Sequence, residues 1–451
     1  MSSPSRESWT SRFGFIMATA GFAVGLGNIW RFPYTAGMNG GGAFLLIYVT
    51  FAVLIGIPLM TAEISLGRKA QRSPIAGMIR LTGSKSSPWN AVGWLGVATV
   101  SVIHTYYLML IGWVFGYFFM IVSGSLDGAA ADSLAETYQS FISTPGPVFA
   151  CTLLVLVLVA LIVSRGLGGG LERLARFAMP VLFVLLVGLA IRSLTFPGAA
   201  RGLAWYLTPD FSAINAGSVL AALGQAFYSI GIGMAVAFGF GSYLNANDSD
   251  VPGSVAIVVA CDTLVAFLAG LVIFPALFAF GLEPDAGPGL LFLTMTNLFA
   301  QMPGGYFFGS LFFFLLILAA MTSAVAHHEV LTATLTDLAP IGRRKGAWLL
   351  AGVFLLLSTL VNLSQGPWSG FRIFDMDLFV LLDTVSGTFL LPTAALAVSL
   401  YVVFVWTFDR FRDDTNVGSG FVKITAAWKP LVVFVIPVAV IVVLLMGLGV
   451  L

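Results

Sequence analysis

Eleven long apolar runs, joined by mostly short connections, leave this chain few ways to fold. They lie at Phe13–Gly37, Ala43–Leu66, Ala91–Ser123, Val148–Val163, Leu171–Leu194, Gly217–Tyr243, Val255–Gly281, Tyr306–Leu335, Ala347–Val361, Leu378–Trp406 and Leu431–Val450. A helix needs roughly 20 apolar residues to cross a bilayer, and these runs are near that length. Of 451 residues, 59% are hydrophobic and 9% charged, too few polar groups to cover a soluble surface. The expected fold class is therefore an all-α integral membrane protein with about eleven transmembrane helices, one domain over residues 1–451.

Basic residues orient the chain. With the amino terminus in the cytoplasm, only Arg192, Arg201 and Arg372 of the 21 lysines and arginines fall outside, and Arg31 lies within the membrane. Cytoplasmic loops carry the excess of Lys and Arg, so the amino terminus reads as inside and the carboxyl terminus, after an odd number of spans, as outside. No cleavable signal peptide is apparent. Cys151 and Cys261 sit in separate apolar runs and read as small buried hydrophobes. P-loop, Rossmann, zincin and nucleophile-elbow patterns are missing from the sequence.

The stretch GFAVGLGNIWRFPY, Gly21–Tyr34, puts three glycines, Asn28 and Arg31 at membrane depth. Unpaired backbone groups in hydrocarbon cost several kcal/mol, so loosened backbone survives there only inside protein or beside a wet cavity. Five spans counted from the start and five from Gly217 give two halves of opposite orientation, about 10–195 and 215–407, with an extra helix at about 430–451. The first span of each half is laced with glycine: Gly21, Gly25 and Gly27, then Gly224, Gly231 and Gly233. Interrupted helices in matching places of two halves point to a midplane binding site, although glycine also serves close helix packing. Freed carbonyls can bind a cation, and the amides at a half-helix start can hold a carboxylate.

These residues carry a family resemblance. GFAVGLGNIWRFPY followed by NGGGAF (Asn39–Phe44) resembles the first helix of the neurotransmitter:sodium symporters, the family of the bacterial leucine transporter. GIPLMTAEISLGR (Gly56–Arg68), RGLGGGLERLARFAMP (Arg165–Pro180), GQAFYSIGIGM (Gly224–Met234), CDTLVAFLAGLVIFP (Cys261–Pro275), MTSAVAHHE (Met321–Glu329) and LLDTVSGT (Leu381–Thr388) follow in family order. The resemblance implies a leucine-transporter-like 5+5 inverted repeat with helices 1 and 6 broken at the midplane. It further implies sodium-coupled uptake of an amino acid with a free carboxylate, by alternating access, across a bacterial plasma membrane. A sodium-dependent membrane sensor that binds the amino acid without moving it is the alternative. No nucleic-acid partner is expected, and the chain would act in the bilayer as a monomer or weak dimer.

By the same resemblance one Na⁺ site falls to Ala23, Asn28, Ser229 and Asp262. The other falls to Gly21, Val24, Ala319, Thr322 and Ser323. Read without it, the adjacent hydroxyls of Thr322 and Ser323 are ordinary back-bonding groups. Asp262 stands near the point where chloride-dependent relatives hold an anion, which implies chloride independence. The solute would meet Phe22, Ala23, Leu26, Gly27, Ile103, Tyr107, Tyr228, Ser229, Gly231, Met234, Ser323 and His327. Monoamine transporters carry an aspartate where this chain has Gly25, so a monoamine is not expected. His327 stands where an aliphatic residue is usual; a histidine satisfied within the bundle is the competing reading. Arg31 and Asp383 would pair as the outer gate, and Arg6 and Asp337 as an inner latch beside Trp9, Ser242 and Tyr243. His104, His328 and Glu329 read as structural. A channel would need a ring of selectivity groups. An enzyme would need more than Ser323 and His327 at helical spacing, so no enzymatic activity is expected.

Overall fold

The computed structural model describes residues 7–246, 250–282, 291–418, 420 and 422–448. Among them, nine helices are long and apolar enough to cross a membrane, or ten if Arg12–Ala23 and Gly27–Met38 form one bent span. The sixth apolar run falls short of that length because its helix, Ala216–Ile230, stops at Gly231 and resumes only as Val236–Gly241. Several helices start at cues visible in the sequence. Ser11 accepts from the Gly14 amide, Asn215 from Ser218, Asp250 from Gly253 and Asp377 from Val380; side-chain oxygens there satisfy amides that lack an intrahelical partner.

Burial separates the spans into an inner and an outer set. The most apolar windows of Pro88–Val122 and Gly305–Leu338 are each 78% buried, whereas that of Ala426–Gly447 is 22% buried. The two central helices pack along each other, and Arg12–Ala23 lies against the second of them. Both cysteines are free and half-buried rather than sealed in the core.

The connections hold more structure than their sequence suggests. Pro74–Thr82, Ala131–Ser143, Ala199–Leu207, Thr294–Gln301 and Phe408–Thr415 are short helices between spans. Gly224 is a further departure. It sits within the continuous helix Ala216–Ile230 and takes no part in the interruption, which begins at Gly231.

Candidate functional site: a cavity at two helix interruptions

The helix Arg12–Ala23 ends where Val24 turns extended, at ψ 101°. The chain resumes as a wide turn over Gly27–Arg31 and then Phe32–Met38, bent by 49° from the first half. In the sixth run Gly231 (φ 76°), Gly233 (φ 82°) and Ala235 (φ 56°) adopt left-handed backbone, which glycine tolerates and alanine resists. Buried side chains take up the backbone groups set free. Asn28 Oδ1 accepts from the Gly25 amide at 3.0 Å, Glu63 Oε1 from the Gly233 amide at 2.7 Å, and Gln225 Nε2 donates to the Gly27 carbonyl at 3.0 Å. That last bond ties the first interruption to the helix that leads into the second.

Beside the breaks lies a cluster of oxygens. Asn28 Nδ2 donates to Ser229 Oγ at 2.8 Å and to Asp262 Oδ1 at 2.7 Å. Ser229 Oγ is 2.9 and 3.0 Å from the two oxygens of Asp262. Tyr48 donates to Asp262 Oδ2 at 2.9 Å and stands 3.2 Å from Ser229 Oγ. All four are buried, Asp262 completely. Ala23 ends the neighbouring helix at the cavity wall. A carboxylate and a hydroxyl are donors a hard cation takes; Asn28 turns its amide nitrogen to them while its oxygen is held by the Gly25 amide. Tyr48 was not foreseen: an aromatic in an apolar span carries no sequence signal of its own.

A second group of oxygens joins the first span to Gly305–Leu338. Ser323 Oγ donates to the Phe22 carbonyl at 2.9 Å and stands 3.4 Å from the carbonyls of Gly21 and Ala319. Thr322 Oγ1 back-bonds to Ala319 at 2.9 Å. A Cβ on Gly21 would come within 3.2 Å of Thr322 Cβ, so the glycine permits this approach. Val24 is the first residue past the helix end, its amide still bonded to the Ala20 carbonyl at 2.7 Å.

Phe22, Ala23, Gly25, Gly27, Ile103, Tyr107, Tyr228, Ser229, Gly231, Met234, Ser323 and His327 line a small cavity. Leu26 is not in its wall; its amide points to Tyr107 Oη at 3.5 Å instead. Gly25 takes its place. A Cβ on Gly25 would lie 2.9 Å from Ser323 Oγ and 3.1 Å from Tyr107 Oη, so an acidic side chain has no room here.

The expected outer pair is not an ion pair in this structure. The Arg31 guanidinium stacks 4.3 Å from the Tyr228 ring centre, and Asp383 Oδ1 accepts from Tyr106 at 3.1 Å. Each charge has a tyrosine beside it, and the two still attract one another at longer range. On the inner side Arg6 lies outside the described residues. Asp337 accepts from the Ser73 amide at 2.7 Å and lies 3.7 Å from Arg72. Trp9 packs at this end: its indole donates to the Phe240 carbonyl at 3.0 Å, its amide to the Tyr243 carbonyl at 3.3 Å, and its ring meets Phe15, Phe240 and Tyr243. Glu329, fully buried, binds Arg343 and accepts from Tyr243 at 2.7 Å, while Arg343 also lies 3.5 Å from Glu7.

A family model described as the sodium:neurotransmitter symporter family matches residues 6–140 and 133–450. The chain is 36% identical over 455 residues to YhdH of Bacillus subtilis, described as an uncharacterized sodium-dependent transporter, with 100% of both chains covered. It is 35% identical over 453 residues to a sodium-dependent transporter of Haemophilus influenzae, covering 98% of each. Its fold matches the crystal structure of MhsT in complex with L-phenylalanine with a TM-score of 0.89 and 36% identity, over 98% of this chain and 100% of that one. With spans of membrane length and matches running almost end to end, this multi-pass, sodium-dependent transporter belongs to the sodium:neurotransmitter symporter family.

Proposed function

We propose that the chain is a Na⁺-coupled symporter that carries an amino acid into a bacterial cell by alternating access. The observation that carries this reading is a small buried cavity lined from both helix interruptions and flanked by two groups of buried oxygens. One Na⁺ would take Ala23, Asn28, Ser229 and Asp262, and a second Gly21, Val24, Ala319, Thr322 and Ser323. The carboxylate of the solute would complete the first site and rest against the amides beside Gly27, where a half-helix begins. The L-phenylalanine bound by MhsT supports an amino-acid substrate.

Asp262 supplies a fixed negative charge beside the first Na⁺ position, so no chloride is required. The two interrupted spans open the halves at about 10–195 and 215–407 of a 5+5 inverted repeat, eleven spans in all, with the amino terminus in the cytoplasm and the carboxyl terminus outside. The two halves would rock about the fixed site. Arg31 and Asp383, each held by tyrosine, would close the outer path. Arg6, Asp337 and the Trp9 contacts would close the inner one.

The deciding experiment reconstitutes the full chain in liposomes and measures uptake of labelled amino acids with and without an inward Na⁺ gradient. Accumulation only with the gradient supports symport. Na⁺-dependent binding without accumulation would identify a sensor instead.

A further inference from the structure

His327 lines the cavity at 3% exposure, and no group among the described residues forms a hydrogen bond with its imidazole; Nδ1 is sealed with no partner. Buried polar atoms are almost always bonded, and an orphan costs roughly 1–3 kcal/mol. Rings alone hold this side chain: Phe22, Tyr107 and His104 meet it edge-on, with centroids 5.8, 5.6 and 5.7 Å away. The two hydroxyls of serine in the wall are occupied: Ser229 bonds Asp262 and Ser323 bonds the Phe22 carbonyl.

His104 meets its neighbour edge-on without a hydrogen bond, and its one ring donor is committed elsewhere. His328 Nε2 faces the Ala347 carbonyl at 2.9 Å, and a carbonyl only accepts, so that nitrogen carries a hydrogen. In a neutral ring His328 Nδ1 is then bare, and His104 Nε2, 3.2 Å away, must donate to it. What remains on His104 is an Nδ1 lone pair, likewise buried without a partner. None of the twelve lining residues is Lys, Arg, Asp or Glu, so a charged group beside His327 would lack a counter-charge.

Resting on the amino-acid reading above, we propose that the carried solute has a neutral side chain ending in a hydrogen-bonding group that meets His327. The transporter thus selects neutral polar amino acids over apolar ones of the same shape. A site built to bond a polar group discriminates strongly against an analogue lacking it. The competing account is a trapped water bridging the two histidines, which predicts no such preference.

The test measures Na⁺-dependent binding to the purified full chain for matched pairs: asparagine and leucine, glutamine and methionine, 4-pyridylalanine and phenylalanine, tryptophan and its benzothienyl analogue. The tightest ligand is expected to be polar and to exceed its apolar partner by on the order of tenfold or more. His327→Leu should bring that ratio near one, while His327→Gln, which keeps a donor and an acceptor, should retain part of it. Equal or tighter binding of the apolar member throughout overturns the inference alone, as does a ratio that survives in H327L. Should H327L not fold, the wild-type ratios and H327Q decide. If no amino acid binds in Na⁺, the amino-acid reading falls and this inference with it.

Discussion

Replacing Gly231 by alanine attacks the interruption in the sixth run at its first residue. Gly231 adopts φ 76°, and an added Cβ would meet Phe22 at 2.2 Å from Cζ and 2.6 Å from Cε1. Carbon atoms rest about 3.5–4.0 Å apart, so the ring must retreat by about 1.3 Å or more, or the backbone must shift. Left-handed backbone costs a residue with a Cβ about 1–2 kcal/mol, and overpacking adds about 1–3 kcal/mol. The sum is about 2–5 kcal/mol, a factor of roughly thirty to a few thousand. Strain relieved by moving Phe22 within the cavity appears as lost solute affinity; strain relieved by the backbone appears as lost stability. Gly224→Ala is the internal control. A Cβ there has nothing within 4 Å, and alanine in a helix is favoured by roughly 0.5–1 kcal/mol. Thermal unfolding and Na⁺-dependent amino-acid binding of both variants decide the matter. If Gly231→Ala matches Gly224→Ala in both assays, the left-handed turn is absent and the reasoning fails.

Three further outcomes follow from the same geometry. Asp262→Ser leaves the donors Tyr48 and Asn28 around a lost carboxylate, so uptake by this variant should depend on chloride; equal rates with and without chloride would refute the assignment. Ser323→Ala removes the hydroxyl beside the carbonyls of Gly21, Phe22 and Ala319. It should raise the Na⁺ concentration for half-maximal uptake on the order of tenfold, and an unchanged Na⁺ dependence would exclude Ser323 as a ligand. Trp9→Ala deletes the bond to Phe240 and three ring contacts, so a cysteine placed in the cavity should react faster with reagents from the cytoplasmic side. The same rate as in the parent would show that Trp9 does not seal that end.

Spans were the most legible feature, because twenty consecutive apolar residues have few other uses. The candidate site residues are legible as a family pattern rather than from their chemistry: Thr322 and Ser323 alone look like back-bonding hydroxyls, and Thr322 does back-bond. What escaped were partners whose importance arises only in three dimensions. Tyr48 is an unremarked aromatic until it meets Asp262, and Arg343 is one basic loop residue among many until it reaches buried Glu329. Arg31 and Asp383 read as an outer gate beside Tyr107 and Tyr228; the structure sets Tyr228 on Arg31 but Tyr106, the sequence neighbour of Tyr107, on Asp383. Glycine was an ambiguous signal. At Gly231 it permits left-handed backbone, whereas at Gly224 it sits in plain helix.

The central claim is that interrupted backbone in spans one and six holds cation and solute together. A high-resolution map of the protein in lipid nanodiscs, with Na⁺ and the amino acid it binds most tightly, addresses this directly. The account predicts a cation between the Gly21 carbonyl and Ser323, another beside Asp262, and the solute carboxylate against the latter. Continuous helices through Val24–Leu26 and Gly231–Ala235, or a solute bound away from both, would contradict it.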